Sequence, residues 1–195
     1  KIVVSNVTGT NTDTSNLTTN DTLYVDHAHL NSGNASTSGT YYTSLYVDGT
    51  YKTNCISTTS KAPNVVGYCE DASLGALSAG SHTIKMVVDV TGAITESNES
   101  DNEYTKTITV SALPNLVPFS PSGWSDKIVV SNVTGTNTSS DLTTSDSLYV
   151  DLAFANAGTG STSSNFVTKL YVDGVFKANC NVNFAMAPNA ITVCT

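Results

Sequence analysis

Four carboxylates fall within thirteen residues: Asp89, Glu96, Glu99 and Asp101, spread around a Thr91-Gly92 turn. Carboxylates interleaved with asparagine and backbone carbonyls are the donors a hard cation such as Ca²⁺ takes up, about six to eight oxygens at a time. The ligand spacing and glycine position are not those of an EF-hand loop. The segment is therefore read either as a calcium-binding hairpin or as a solvated turn between two strands.

A second group with metal-binding chemistry is His27 and His29. Two residues apart on a strand, they share one face. The equivalent positions in the second half of the chain are Leu152 and Phe154, so packing is the favoured role and chelation the alternative. Four cysteines form two equivalent pairs, Cys55/Cys69 and Cys180/Cys194. With no histidine or second cysteine close by in sequence, neither pair has the pattern of a zinc site. One local disulfide per module, formed in an oxidising compartment, is the economical reading. Two reduced, buried thiols per module are the alternative.

Sequons occur at Asn6, Asn16, Asn20, Asn34, Asn98, Asn132 and Asn137, which marks each as a candidate N-glycosylation acceptor. No arrangement of serine, cysteine and histidine reads as a catalytic triad, and no nucleophile elbow is present. The chain is expected not to be an enzyme, and to need no cofactor other than the calcium considered above.

The elements that must position these residues are set by a repeat. Lys1–Asn11 recurs unchanged as Lys127–Asn137, and Leu45-Tyr-Val-Asp-Gly49 recurs as Leu170-Tyr-Val-Asp-Gly174. A fixed period decides the architecture before any local reading. Runs such as Thr22–Leu30, Tyr41–Val47, Ser81–Val88 and Glu103–Val110 alternate or nearly alternate apolar with polar residues and are rich in β-branched and aromatic side chains, which predicts strands. Asp48-Gly49 and Asp173-Gly174 between such runs predict tight hairpins. No stretch carries helical periodicity. The fold expected is all-β: tandem immunoglobulin/fibronectin-III-like β-sandwich modules. The modules are 1–112 and 113–195. Against the repeat, the first lacks its opening strand and the second stops before its last strands. Either the chain is a fragment of a longer array, or neighbouring chains supply the strands, since an incomplete sandwich leaves unpaired backbone groups that can recruit one.

Composition narrows the partners. The net charge is −8, charged residues are 12% of the chain and arginine is absent. This excludes the basic footprint that nucleic-acid binding needs. The longest apolar runs are four or five residues, too short to enter a bilayer. Neighbouring copies of the chain, glycans and cell-surface components are the partners left.

The stretch Asp89–Glu103 followed by Tyr104–Val110, with Leu45–Gly49, Leu77–Thr83 and the Leu113-Pro-Asn-Leu116 opening, resembles a CARDB domain, a cell-adhesion-related domain found in bacteria. The resemblance implies an immunoglobulin-like sandwich, in tandem, within large secreted or surface-attached prokaryotic proteins, and it implies no catalytic residues. The cysteine pairs are not part of that pattern. The function expected is an extracellular structural or adhesive repeat protein forming a stalk, surface layer or pilus-like fibre, with donor-strand exchange between chains as its means of assembly. The alternative is a carbohydrate- or protein-binding accessory module of a larger secreted protein.

Overall fold

A computed structural model describes residues 1–195 and contains strands, turns and loops but no helix. The chain divides into two compact units, Lys1–Ser111 and Ala112–Thr195.

In the first unit the strands are β1 (Ile2–Ser5), β2 (Leu17–Thr18), β3 (Leu23–Leu30), β4 (Tyr41–Val47), β5 (Thr50–Ser57), β6 (Val66–Gly75), β7 (Gly80–Val87) and β8 (Glu103–Ser111). They form two sheets, one ordered β1-β3-β6 and the other β2-β8-β7-β4-β5. All pairings are antiparallel except β2 with β8. The period-two pattern explains the layering. Leu23 and Val25 on β3, Leu45 and Val47 on β4, Ile84 and Met86 on β7, and Ile108 and Val110 on β8 all point into one core, while Asp26, Tyr46 and Lys85 between them face outward. Removing these side chains from water is the main stabilising term, roughly 1.5–3 kcal/mol each.

The Asp-Gly turns behave as the sequence predicts. Asp48 and Gly49 have φ of 49° and 77°, and Asp173 and Gly174 have φ of 50° and 76°. Two consecutive positive φ values define the turn whose twist matches a hairpin, and they set the β4/β5 register of Val47 opposite Thr50.

In the second unit the strands are β9 (Leu116–Pro118), β10 (Ile128–Ser131), β11 (Tyr149–Asn156), β12 (Phe166–Val172), β13 (Val175–Val182) and β14 (Ile191–Cys194). Strand β11 pairs with β14 on one edge. On the other edge it pairs with β10 over Tyr149–Leu152 and with β9 over Phe154–Asn156. Strands β12 and β13 form a separate two-stranded sheet.

The two units are incomplete in different places. The first has no strand beside His29–Asn31 on the edge that β9 occupies at Phe154–Asn156. The second has no strand on the edge of β12 that corresponds to the one β7 occupies on β4. The consequence shows in exposure: Leu23 and Val47 are 0% and 4% exposed, but their counterparts Leu148 and Val172 are 55% and 45% exposed.

Candidate functional site

Both cysteine pairs are closed. Cys55 on β5 joins Cys69 on β6 with a Cα–Cα distance of 6.2 Å, and Cys180 on β13 joins Cys194 on β14 at 6.0 Å. In the first unit β5 and β6 are edge strands of opposite sheets, so the bridge ties the two layers together along their open side.

The acidic segment lies in the loop between β7 and β8. Asp89 is buried, and its carboxylate closes its own turn: Oδ1 accepts from the Ala93 amide at 3.0 Å and Oδ2 from the Ile94 amide at 2.7 Å. Glu99 Oε1 accepts from the Glu96 amide at 2.8 Å, and Glu96 Oε2 accepts from Asn102 Nδ2 at 2.6 Å. Burial, together with the nearby charges of Glu99, Asp89 and Asp101, pushes the Glu96 carboxyl above its ordinary range against the Asn102 bond. Asp101 is exposed. Two of the four carboxylates anchor backbone amides, so a shared four-carboxylate shell is not assembled in this arrangement.

Asp89, Glu96 and Asp101 do line one cavity of about 750 Å³, together with Lys1, Asn98 and Tyr104. Its lining also includes His29–Asn31, the stretch of β3 with no strand beside it. His29 Nε2 lies 2.8 Å from the Tyr41 hydroxyl, with the rings edge to face at 5.6 Å. The imidazole lies so close over β6 that a side chain at Gly67 would force the His29 ring to move, whereas the second unit places Thr192 opposite Phe154 at the same register. Burial foremost, then the charges of Lys61 and the amino terminus, holds the His29 ring below its ordinary pKa.

His27 faces inward beside the Cys55–Cys69 bridge. The Sγ atoms and the imidazole nitrogen lie within 4.8 Å of one another, the one set of three metal-ligating residues so close in this chain. Linear sequence therefore misleads about the first cysteine pair: a histidine does stand next to it in space, because the β3/β6 register places His27 opposite Cys69. The ring is 3% exposed, and neither nitrogen has a hydrogen-bond partner. Burial, then repulsion from His29 and the amino terminus, pushes its pKa down to about 4. The expectation of a packed histidine holds for burial, and the missing signal was strand register.

Of the sequons, Asn16, Asn20, Asn34, Asn98, Asn132 and Asn137 are exposed. Asn6 is half-buried, its Nδ2 donating to Asp21 Oδ1 at 3.0 Å and its Oδ1 accepting from the Thr14 hydroxyl at 3.0 Å. That amide is occupied by structure.

The CARDB family model matches residues 3–106, more than half of the chain. Two solved structures resemble it, both of the CARDB domain of a Pyrococcus furiosus protein. The solution NMR structure is 20% identical, with a TM-score of 0.43, covering 56% of this chain and 91% of that one. The crystal structure, described as a complex with di-metal ions, is 19% identical, with a TM-score of 0.42, covering 56% and 89%. No curated protein matches the chain. The chain belongs to the CARDB family, a family of cell-adhesion-related domains.

Proposed function

We propose that the chain is part of an extracellular structural or adhesive repeat protein whose β-sandwich modules join into a stalk, surface layer or pilus-like fibre by donating strands between copies. The observation that carries this reading is the CARDB match over residues 3–106 with a second copy of its β1, β3, β4 and β5 sequences in the second unit. The bare edges are where a strand would add, from another copy or from further sequence of a longer chain. Strand β9 covers Phe154–Asn156 in the second unit, while the same stretch, His29–Asn31, is bare in the first. Strand β12 lacks the neighbour that β4 has in β7. A bare sheet edge is a row of unpaired donors and acceptors, and a strand from another chain satisfies it through main-chain bonds. The two disulfides suit an oxidising, extracellular setting, and no helix is long and apolar enough to cross a membrane.

The test is sedimentation velocity at rising concentration, with and without a synthetic peptide of the Leu113–Phe119 sequence. Strand donation predicts concentration-dependent polymers that the peptide shortens. A monomer at every concentration contradicts it.

One observation favours a second reading, a carbohydrate- or protein-binding accessory module. The cavity of about 750 Å³ has the size of a small-ligand site and offers aromatic, amide and carboxylate groups together, at Tyr41, Tyr104, Asn98 and Asp101. Calcium at Asp89, Glu96, Glu99 and Asp101 belongs to this reading. It requires the loop to reopen, and calorimetric titration with Ca²⁺ tests it.

A further inference from the structure

His27 is an anomaly in a disulfide-stapled core. A buried polar group without a partner costs about 1–3 kcal/mol, and here both ring nitrogens lack one. The repeat shows that the bridge itself does not require it. In the second unit Leu152 stands opposite Cys194, as His27 stands opposite Cys69, and Leu152 packs with Cys180 and Cys194 against the apolar core. The same staple is thus built over leucine in one unit and over an unpartnered imidazole in the other.

We propose that reduction of the Cys55–Cys69 disulfide turns these three side chains into a site for a borderline-soft divalent cation of the zinc class. Two thiolates and one imidazole are the donor set such ions prefer, and three protein ligands leave a fourth position for water. The donor atoms already converge within 4.8 Å. They come from three strands of the fold, β3, β5 and β6; the bond itself brings the two Sγ together, and once it is reduced the packed sandwich has to keep the cysteine Cα atoms near their 6.2 Å separation. A cavity of about 240 Å³ is lined by His27 and Cys69 together with Lys1, Asn11, Asp26 and Glu70. It provides both a path for the ion and room for the water. Both cysteines are half-buried, which leaves the bridge open to a small reductant.

A dithiol gives up two electrons and two protons and becomes a disulfide. The Sγ–Sγ bond of Cys55–Cys69 breaks, and each sulfur becomes a thiol. The incoming cation displaces both thiol protons to solvent, and His27 donates a lone pair from its neutral ring. A disulfide oxidant reverses the sequence: it accepts two electrons from the thiolates and two protons from solvent to become a dithiol, the Sγ–Sγ bond reforms and the cation leaves. The first unit is thereby gated by redox state between a staple and a metal site, whereas the second, with Leu152, is a staple only.

The experiment uses the full chain, reduced with a phosphine that is then removed, and titrated with Co²⁺ under argon. The proposal predicts one Co²⁺ per chain, with a thiolate-to-cobalt charge-transfer band and the strong visible bands of tetrahedral cobalt. The oxidised chain should show neither. Cys194→Ser should leave the signal intact, and Cys69→Ser should abolish it. His27→Leu copies the natural arrangement at Leu152 and should fold, yet lose at least the roughly 10–100-fold in affinity that even an outer-shell partner is worth. An unchanged signal in His27→Leu, or two ions per chain with one lost in Cys194→Ser, would show thiols acting without the histidine and overturn the proposal. So would the absence of a band in a reduced chain that keeps its β-sheet circular dichroism. A reduced chain that loses its sheet signal and does not regain it with Zn²⁺ also contradicts it.

Discussion

Asn31 and Asn156 are one residue in two copies, and they clip the same loop in the same way. Asn31 Nδ2 donates to the Ala35 and Lys61 carbonyls at 2.9 and 2.7 Å, and Asn156 Nδ2 donates to the Gly160 and Met186 carbonyls at 2.8 and 3.0 Å. Their Oδ1 atoms accept from the Gly33 and Gly158 amides at 3.0 and 3.1 Å. Only Asn156 accepts one bond more, from the Asn115 amide at 2.9 Å, where the chain leads into β9. The spare capacity of Asn31 marks the site where the first unit lacks a strand.

Asn156→Ala should therefore be severe. The side chain is fully buried, and its loss leaves two carbonyls and the Asn115 and Gly158 amides without that partner. The expected destabilisation of the second unit is about 2–4 kcal/mol. Asn31→Ala, with fewer bonds and a half-buried site, should cost its unit less. Urea unfolding of each variant checks the order.

His82 gives the first unit a pH response. Its Nδ1 lies 2.7 Å from Asp48 Oδ2 and its Nε2 lies 2.8 Å from the Ser78 carbonyl oxygen. Acceptors at both nitrogens favour the protonated ring. The Asp48 bond first, and the Ser78 bond second, raise its pKa above 6.5. A raised folded-state pKa means the stabilisation is fully present below the unfolded value and is lost as pH rises through the folded one. Asp48, held low by His82 and by the Thr83 amide, stays ionised throughout that window. The urea midpoint of the first unit should fall as pH rises above the unfolded value of about 6.5, and His82→Gln should flatten that fall. His27 and His29, both held below 6.5 by burial, act on the acid side in the opposite sense.

Each disulfide closes a loop with a sequence separation of 14. In the chain-entropy model such a bridge is worth roughly 3 kcal/mol. Cys180→Ser/Cys194→Ser should lower the unfolding free energy of the second unit by about that amount and leave the first unit unchanged. Guanidinium unfolding, followed by probes placed separately in the two units, reads this directly.

Much of this was legible in the residues, for local reasons. Alternation at Leu23, Val25 and His27 announces β3, and the Asp-Gly pairs fix their hairpins because few other residues tolerate two successive positive φ values. The repeat with paired cysteines announces the bridges. What stayed hidden depends on register and on non-local pairing. Nothing near Leu17 signals that β2 runs parallel to β8. The meeting of His27 with Cys69 follows from a β3/β6 register containing irregularities, which no spacing rule gives. At the acidic loop the residue types suggest a cation, but the Asp89 carboxylate closes on the Ala93 and Ile94 amides. Composition cannot distinguish a ligand set from a turn that caps itself.

The proposed joining of modules through open sheet edges is tested most directly by cryo-electron microscopy of the purified chain at high concentration. The account predicts filaments of regular repeat, with density for an added strand along His29–Asn31 or along the free edge of β12. Separate beads, with both edges bare at every concentration, would contradict it.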